Sequence, residues 1–141
     1  MALALPAAAL GAREYERPAR PVLKSLDHRI KAERGSMCWT TTEDGETTSV
    51  CGDVFPPQRS KPLKVRPGGA IRIDMRMPTE RLTAWLGDRR TLIAKRLGED
   101  GRRWRVRLPG KLRSKATLSL LAVYSQGDSA FTATLRRRNR P

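Results

Sequence analysis

Two cysteines, Cys38 and Cys51, stand at equal distances from the dipeptide Asp44-Gly45. Asp-Gly favours the centre of a two-residue type I′ hairpin turn. Folding the chain about that turn places the cysteines opposite each other at a non-hydrogen-bonded position, where Cα atoms approach to about 4.5 Å. A disulfide can span that separation. The sequence therefore predicts a β-hairpin closed by a Cys38–Cys51 disulfide.

The residues between the two cysteines fit the same hairpin. Three hydroxyl-bearing pairs would face each other across the strands: Thr42 with Thr47, Thr41 with Thr48, and Thr40 with Ser49. Such pairs stabilise a ladder, whereas Glu43 opposite Glu46 would cost stability. A metal site would need further ligands, and the nearest candidates, His28 and Asp53, lie at no recognised zinc spacing. No metal is expected.

Strict alternation of apolar and charged residues marks further strands. In Ala70 to Met77 the odd-numbered positions from Ile71 are apolar and Arg72, Asp74 and Arg76 alternate with them. This is the period of a half-buried strand. The same pattern indicates strands at Arg103 to Leu108 and around Phe131 to Leu135. Weaker patterns indicate four more, at Leu63 to Arg66, Arg81 to Leu86, Thr91 to Leu97 and Ala116 to Tyr124.

Eight or nine short strands with turn signals between them are typical of an antiparallel β-sandwich. We expect this domain to cover residues 22–136. Leu23 to Arg34 is compatible with a helix or with a first strand in which Leu26 and Ile30 are partly buried. Residues 137–141 form a predicted basic tail.

The N-terminal segment indicates export. Residues 1–12 are small and apolar, as in the remnant of a signal peptide or an apolar leader, although no basic residue precedes Arg13. Residues 13–21 contain charges and prolines without an apolar period, which predicts a flexible tether. No apolar stretch reaches the roughly 18 to 20 residues of a membrane-spanning helix. The expected location is extracytoplasmic.

Several short blocks resemble a group of small exported bacterial proteins of undefined role. The blocks are Gly35-Ser36-Met37-Cys38-Trp39, Cys51-Gly52-Asp53, Pro67-Gly68-Gly69, and the segment from Tyr124 to Phe131. Met37 stands where the group usually has an aromatic residue, and Ala130-Phe131 replaces a Tyr-x-Phe ending. The resemblance covers roughly residues 34–135 and implies an immunoglobulin-like β-sandwich at the bacterial cell envelope.

Positive charge is concentrated in the C-terminal part of the chain. The formal net charge is +15, and residues 61–141 account for all of it because the charges before residue 61 cancel. Arginine suits phosphate and carboxylate groups because its planar fork can donate two parallel hydrogen bonds. The segment 102–115 contains no acidic residue, and its candidate polyanion-binding residues are Arg103, Arg105, Arg107, Lys111, Arg113 and Lys115.

The meaning of this basic stripe is open at the level of sequence. Arginine can fill a solvated strand face for compositional reasons alone, and basic side chains also protect sheet edges. The pI of 11.3 suits a nucleic-acid-binding protein. However, single-strand binders place aromatic side chains among the basic ones, and alternation puts Trp104 on the face opposite Arg103. For an exported protein, anionic envelope polymers or lipid head groups are the more natural partners.

No catalytic motif stands out. The chain has a single histidine and lacks a phosphate-binding glycine loop, a G-x-S-x-G elbow and an H-E-x-x-H helix. A triad of Ser36, His28 and Asp53 can be written down, but nothing in the sequence brings it together. We expect a secreted, non-enzymatic binding or structural module without a cofactor, with polyanion or nucleic-acid binding as the alternative function.

Overall fold

The computed structural model describes residues 18–52, 61–87 and 90–138, which form β-strands and no helix. The strands are β1 (Val22–Ser25), β2 (His28–Lys31), β3 (Glu33–Glu43), β4 (Glu46–Gly52), β5 (Leu63–Val65), β6 (Ala70–Asp74), β7 (Arg81–Leu86), β8 (Arg90–Leu92), β9 (Ala94–Leu97), β10 (Arg103–Arg107), β11 (Lys115–Tyr124) and β12 (Gly127–Arg137).

These strands form two sheets. The five-stranded sheet has the order β2-β1-β6-β10-β9, and all of its pairs are antiparallel. The other sheet has the order β4-β3-β12-β11-β7-β8. Strand β12 also pairs with β5, along the residues that follow its pairing with β3. The β12–β5 pair is parallel, whereas the other pairs of this sheet are antiparallel. A β-bulge between Ser129 and Phe131 interrupts the β12–β3 ladder.

The strand order confirms the immunoglobulin-like sandwich. The run β1-β6-β10-β9 corresponds to the A-B-E-D sheet of that fold, and β12-β11-β7-β8 corresponds to G-F-C-C′. From β6 to β12 the strands also follow one another along the chain in the order B to G. The hairpin of β3 and β4 is an addition that extends the second sheet beyond β12, and it carries the disulfide.

The core lies between the two sheets and is built by alternate residues of the strands. From the five-stranded sheet, Leu23, Ile71, Ile73 and Val106 are fully or almost fully buried. The second sheet contributes a matching layer: Leu82, Ala84, Leu118, Leu120, Ala122, Phe131, Ala133 and Leu135. Burial of this layer holds the register, because a shift by one residue would turn the apolar set outward.

Two predicted elements differ from the structure. Residues 23–34 form the strands β1 and β2 and the beginning of β3, with Leu26 exposed in the turn at a φ of 56°. The single strand expected at Thr91 to Leu97 is divided at Ile93, where the chain passes from the second sheet to the first. These divisions raise the number of strands from the predicted eight or nine to twelve.

The Cys38–Cys51 hairpin is confirmed in its register and its bond. The cysteines are paired residues of β3 and β4 with Cα atoms 4.0 Å apart, and they form a disulfide. The three hydroxyl pairs occur as expected, with Thr40 and Ser49 hydroxyls 3.1 Å apart. Gly127 allows β12 to lie close to β3 beside the disulfide, because a Cβ at this position would collide with the Cys38 carbonyl oxygen.

We expect the disulfide to contribute measurably to stability. Replacing both cysteines by serine releases a loop whose ends are 13 residues apart, and should lower the free energy of unfolding by about 3 kcal/mol in the chain-entropy model. Urea unfolding of the oxidised protein and the double variant tests this. Equal unfolding midpoints, or two free thiols in the native oxidised protein, would contradict it.

The folded domain begins before the predicted boundary at residue 22. Pro18 is fully buried, and its carbonyl oxygen accepts hydrogen bonds from both Nε and Nη2 of Arg34 at 3.3 Å. Arg20 donates to the Ala32 carbonyl at 2.7 Å, and the Ala32 amide donates to Pro21. Residues 18–21 are therefore part of the sandwich and not of the tether expected over 13–21. Residues 1–17 lie outside the described residues.

The basic tail expected over 137–141 also starts later. Arg137 ends β12, and its amide donates to the Ser114 carbonyl oxygen. The Arg138 amide donates to Val65. Residues 139–141 lie outside the described residues.

Removing residues 18–21 should destabilise the domain. A chain that lacks residues 1–21 loses the buried Pro18 and the hydrogen bonds to Arg34, so we expect it to be about 2–4 kcal/mol less stable than a chain that lacks only 1–17. Thermal unfolding of the two chains followed by circular dichroism measures the difference. Identical melting temperatures would show that 18–21 contribute nothing.

Tyr124 closes one end of the core beside Trp39. The two rings meet edge to face with centroids 5.3 Å apart, and both residues are buried. Burial raises the pKa of the Tyr124 hydroxyl well above its usual value. In the folded protein this hydroxyl therefore stays protonated at a pH where the unfolded chain ionises.

The raised pKa predicts a loss of stability at alkaline pH. Above about pH 10 the unfolded state releases the tyrosine proton and the folded state keeps it, so the free energy of unfolding falls by up to about 1.4 kcal/mol per pH unit. Tyr124→Phe should remove that part of the pH dependence, while lysine titration affects both proteins alike. Urea unfolding between pH 9 and 11 makes the comparison, and parallel curves would contradict it.

Candidate anion-binding face

The predicted basic stripe is divided between different parts of the fold. Arg103, Arg105 and Arg107 lie on the outward face of β10, as alternation predicted. Lys111 and Arg113 lie in the connection between β10 and β11. Lys115 begins β11 in the other sheet, opposite Arg136. The six residues therefore do not form one continuous stripe.

The three arginines of β10 instead belong to a larger surface, which we call the basic face. It consists of the outward-pointing charged residues of the five-stranded sheet. Eight of them are cations and one is an acid: Lys24, Arg29, Lys31, Arg72, Lys95, Arg103, Arg105, Arg107 and Asp74. Every strand of this sheet contributes at least one cation.

Five of these cations form a single row across the sheet, which we call the cation row. Strand pairing places Arg29 beside Lys24, Lys24 beside Arg72, Arg72 beside Arg105, and Arg105 beside Lys95. Neighbouring strands lie about 4.8 Å apart, so the row spans about 19 Å. The row runs perpendicular to the strands and crosses the full width of the sheet.

The acid of the basic face does little to neutralise it. Asp74 lies beside Arg103 at the end of β6, and its Oδ1 accepts a hydrogen bond from the Arg76 amide at 2.9 Å. No salt bridge within 4.0 Å joins two residues of the basic face. Asp74 therefore forms no salt bridge with a cation of this surface.

A broad concavity opens on the outward face of the five-stranded sheet and is lined by residues of all five strands. Its volume is about 790 Å³. Arg29, Lys24 and Arg72 of the cation row line it, and Val22 and Leu97 add apolar surface. Asp74 also lines the concavity, so the site combines several cations with one acid and small apolar patches, and an extended ligand could lie in it.

Four other arginines, Arg20, Arg34, Arg96 and Arg137, have structural roles and are not free to bind a ligand. Arg96 donates to the Glu80 carbonyl at 2.7 Å, and its guanidinium lies 5.3 Å from the Trp104 ring centroid. Arg137 donates to the Leu112 carbonyl at 2.8 Å. Together with Arg20 and Arg34, these residues hold separate segments together through backbone carbonyl groups.

The outward face of the second sheet is neutral over its central part. Trp85, Leu121 and Val123 lie there, with hydroxyl-bearing neighbours on the same and adjacent strands. These neighbours are Thr83, Thr91, Thr117, Ser119, Thr132 and Thr134. The two outward faces of the sandwich therefore differ sharply in charge.

Sequence reasoning found the β10 part of the basic face and missed the rest. Arg72 was placed on a solvent-facing position by alternation, but nothing in the sequence identified β10 as its neighbour. Lys24 and Arg29 lie in the segment that had no clear period. Their alternation in two four-residue strands is too short a signal to distinguish a hairpin from a helix.

Ser36 and His28, two members of the candidate triad, lie in different parts of the fold. Ser36 lies on β3 and His28 on β2, which belong to different sheets, and Asp53 lies outside the described residues. Within 18–52, 61–87 and 90–138, no group of three or more metal-ligating side chains occurs. The same residues contain no helix long and apolar enough to cross a membrane.

Comparisons of this chain with protein-family models, with curated proteins and with solved structures find no match.

Proposed function

We propose that this protein is a non-enzymatic, extracytoplasmic binding module that binds an anionic polymer of the bacterial envelope on its basic face. The cations of that face come from all five strands, so the folded sheet is required to assemble the site. Exposed cations of this kind attract polyanions mainly by long-range electrostatics. Binding would be multivalent and sensitive to salt.

The observation that carries the proposal is the cation row. Its members form four successive like-charge pairs across neighbouring strands. Like charges placed directly opposite each other destabilise a sheet. A surface that served only solubility could alternate cationic and anionic side chains along the same row. The uninterrupted positive charge of the cation row therefore favours a ligand that neutralises it.

Two structural facts weigh against the alternative explanations. Protection against edge-to-edge aggregation requires cations on edge strands, but Arg72 and Arg105 lie on the interior strands β6 and β10. A general excess of arginine would fill both outward faces of the sandwich. On the second sheet the outward cations Arg81, Lys115 and Arg136 lie at the ends of the strands, and the centre of that face is neutral.

Nucleic acid is the less favoured polyanion. Among the described outward-facing residues of the five-stranded sheet none is aromatic, and Trp104 is buried in the core. A single-stranded nucleic acid would therefore find cations for its phosphates but no ring on which to stack its bases. The disulfide is in keeping with an oxidising compartment outside the cytoplasm, where such bonds persist.

The proposal is tested with two triple variants of equal charge. Replacing Arg103, Arg105 and Arg107 by serine removes three cations from the basic face and should weaken binding to a soluble anionic polysaccharide about tenfold at about 50 mM salt, since an exposed ion pair contributes about 0.2–1 kcal/mol. Replacing Lys111, Arg113 and Lys115 by serine removes the same charge outside that face and should change affinity about twofold or less. Isothermal titration calorimetry measures both.

The salt dependence provides a second readout. The variant of the basic face should show a shallower fall of affinity with salt, because fewer counterions are released on binding. Equal affinities for the wild type and both variants would eliminate the basic face as a binding site. Equal losses in the two variants would show that net charge alone drives the association.

A further inference from the structure

The cation row has a direction, and that direction restricts the shape of the ligand. Along a strand, the outward positions of β10 repeat every second residue, at about 6.8 Å. Across the strands, the row places one cation at every strand spacing, about 4.8 Å apart. The closest uninterrupted series of cations therefore runs across the sheet, from Arg29 on β2 to Lys95 on β9.

We propose that the ligand is an extended anionic polysaccharide with one acidic group on each sugar unit, which lies across the strands along the cation row. This inference rests on the proposed function and specifies its ligand. The length of one sugar unit in an extended chain is comparable with the strand spacing. Each of five successive carboxylates would then meet one cation.

The shape of the surface favours a single chain over a flat membrane. The concavity covers the part of the row formed by Arg29, Lys24 and Arg72. A planar layer of lipid head groups would contact the rim of such a surface and miss its floor. An extended chain can lie within the concavity, where Val22 and Leu97, each two residues along its strand from the cation row, offer apolar contacts to the carbon-bound hydrogens of sugar rings.

Charge density separates this ligand from duplex nucleic acid. A DNA duplex carries one charge per about 1.7 Å of its axis, about three times closer than the cations of the row, which lie about 4.8 Å apart. Most phosphates of a duplex laid along the row would have no partner. A polymer with one acid per sugar unit matches the row nearly one to one.

Two triple variants of the same face distinguish the direction of binding. The row variant, Arg29→Ser with Arg72→Ser and Arg105→Ser, removes three of the five cations of the row. The column variant, Arg103→Ser with Arg105→Ser and Arg107→Ser, removes one member of the row and two neighbours along β10. Both lose three arginines from the same surface, so their long-range electrostatic attraction is matched.

Binding of a polyuronate with one carboxylate per sugar should respond differently to the two variants. We expect the row variant to lose affinity about thirtyfold or more and the column variant about tenfold, because exposed ion pairs contribute about 0.2–1 kcal/mol each and the row variant removes three of them from the ligand's path. Circular dichroism of both variants checks that each is folded. A greater loss in the column variant would overturn the proposed direction.

Oligouronates of increasing length test the size of the site. Affinity should rise steeply up to about five sugar units, the length of the row, and only slightly beyond. A polymer with a carboxylate on every second sugar should bind more weakly at equal ionic strength, as should single-stranded DNA and anionic phospholipid vesicles. Stronger binding of DNA or vesicles than of the polyuronate would overturn the ligand assignment.

The outcomes also separate this inference from the proposed function. If both variants lose affinity equally, the basic face binds polyanions without a preferred direction, and only the further inference fails. If neither variant loses affinity, both proposals fail.

Discussion

The outward position of the central cations of the basic face, Lys24, Arg72 and Arg105, depends on the burial of their neighbours one residue away. Ile71 and Ile73 are buried between the sheets, so Arg72 between them must point to solvent. Trp104 and Val106 fix Arg105 in the same way. A register shift of one residue would bury guanidinium groups without partners, which is far more costly than the repulsion between exposed like charges. The apolar core therefore maintains a surface that is electrostatically unfavourable by itself.

Two groups of arginines in the domain have different roles. Arg20, Arg34, Arg96 and Arg137 donate hydrogen bonds to backbone carbonyl groups of distant segments, and Arg96 also covers Trp104. They act as connectors, and their charge is of secondary importance. The arginines of the cation row lie on regular strands, whose backbone groups are already paired in the ladders. Their guanidinium groups are available to a ligand, and this distinction explains why arginine content alone does not identify a binding site.

The disulfide hairpin and the basic face lie on different sheets and have different physical origins. The hairpin is stabilised locally, by its Asp-Gly turn, its paired hydroxyls and its covalent bond. The basic face is non-local, since β1, β6 and β10 are neighbours in space but widely separated in the chain. Bringing them together requires the complete sandwich. We therefore expect any change that unfolds the core to abolish the face, even where the hairpin persists.

Local sequence patterns were sufficient for the hairpin, its disulfide, the all-β class and the outward direction of Arg103, Arg105 and Arg107. Each of these follows from turn preference or from the period of two, which act over a few residues. The sequence could not show that Pro18 is buried or that Thr91 to Leu97 divides between two sheets, because both depend on packing against distant strands. It also could not show that Arg29, Lys24, Arg72, Arg105 and Lys95 form one row. Strand order and register are set by how the two apolar layers fit together, and only the tertiary structure decides them.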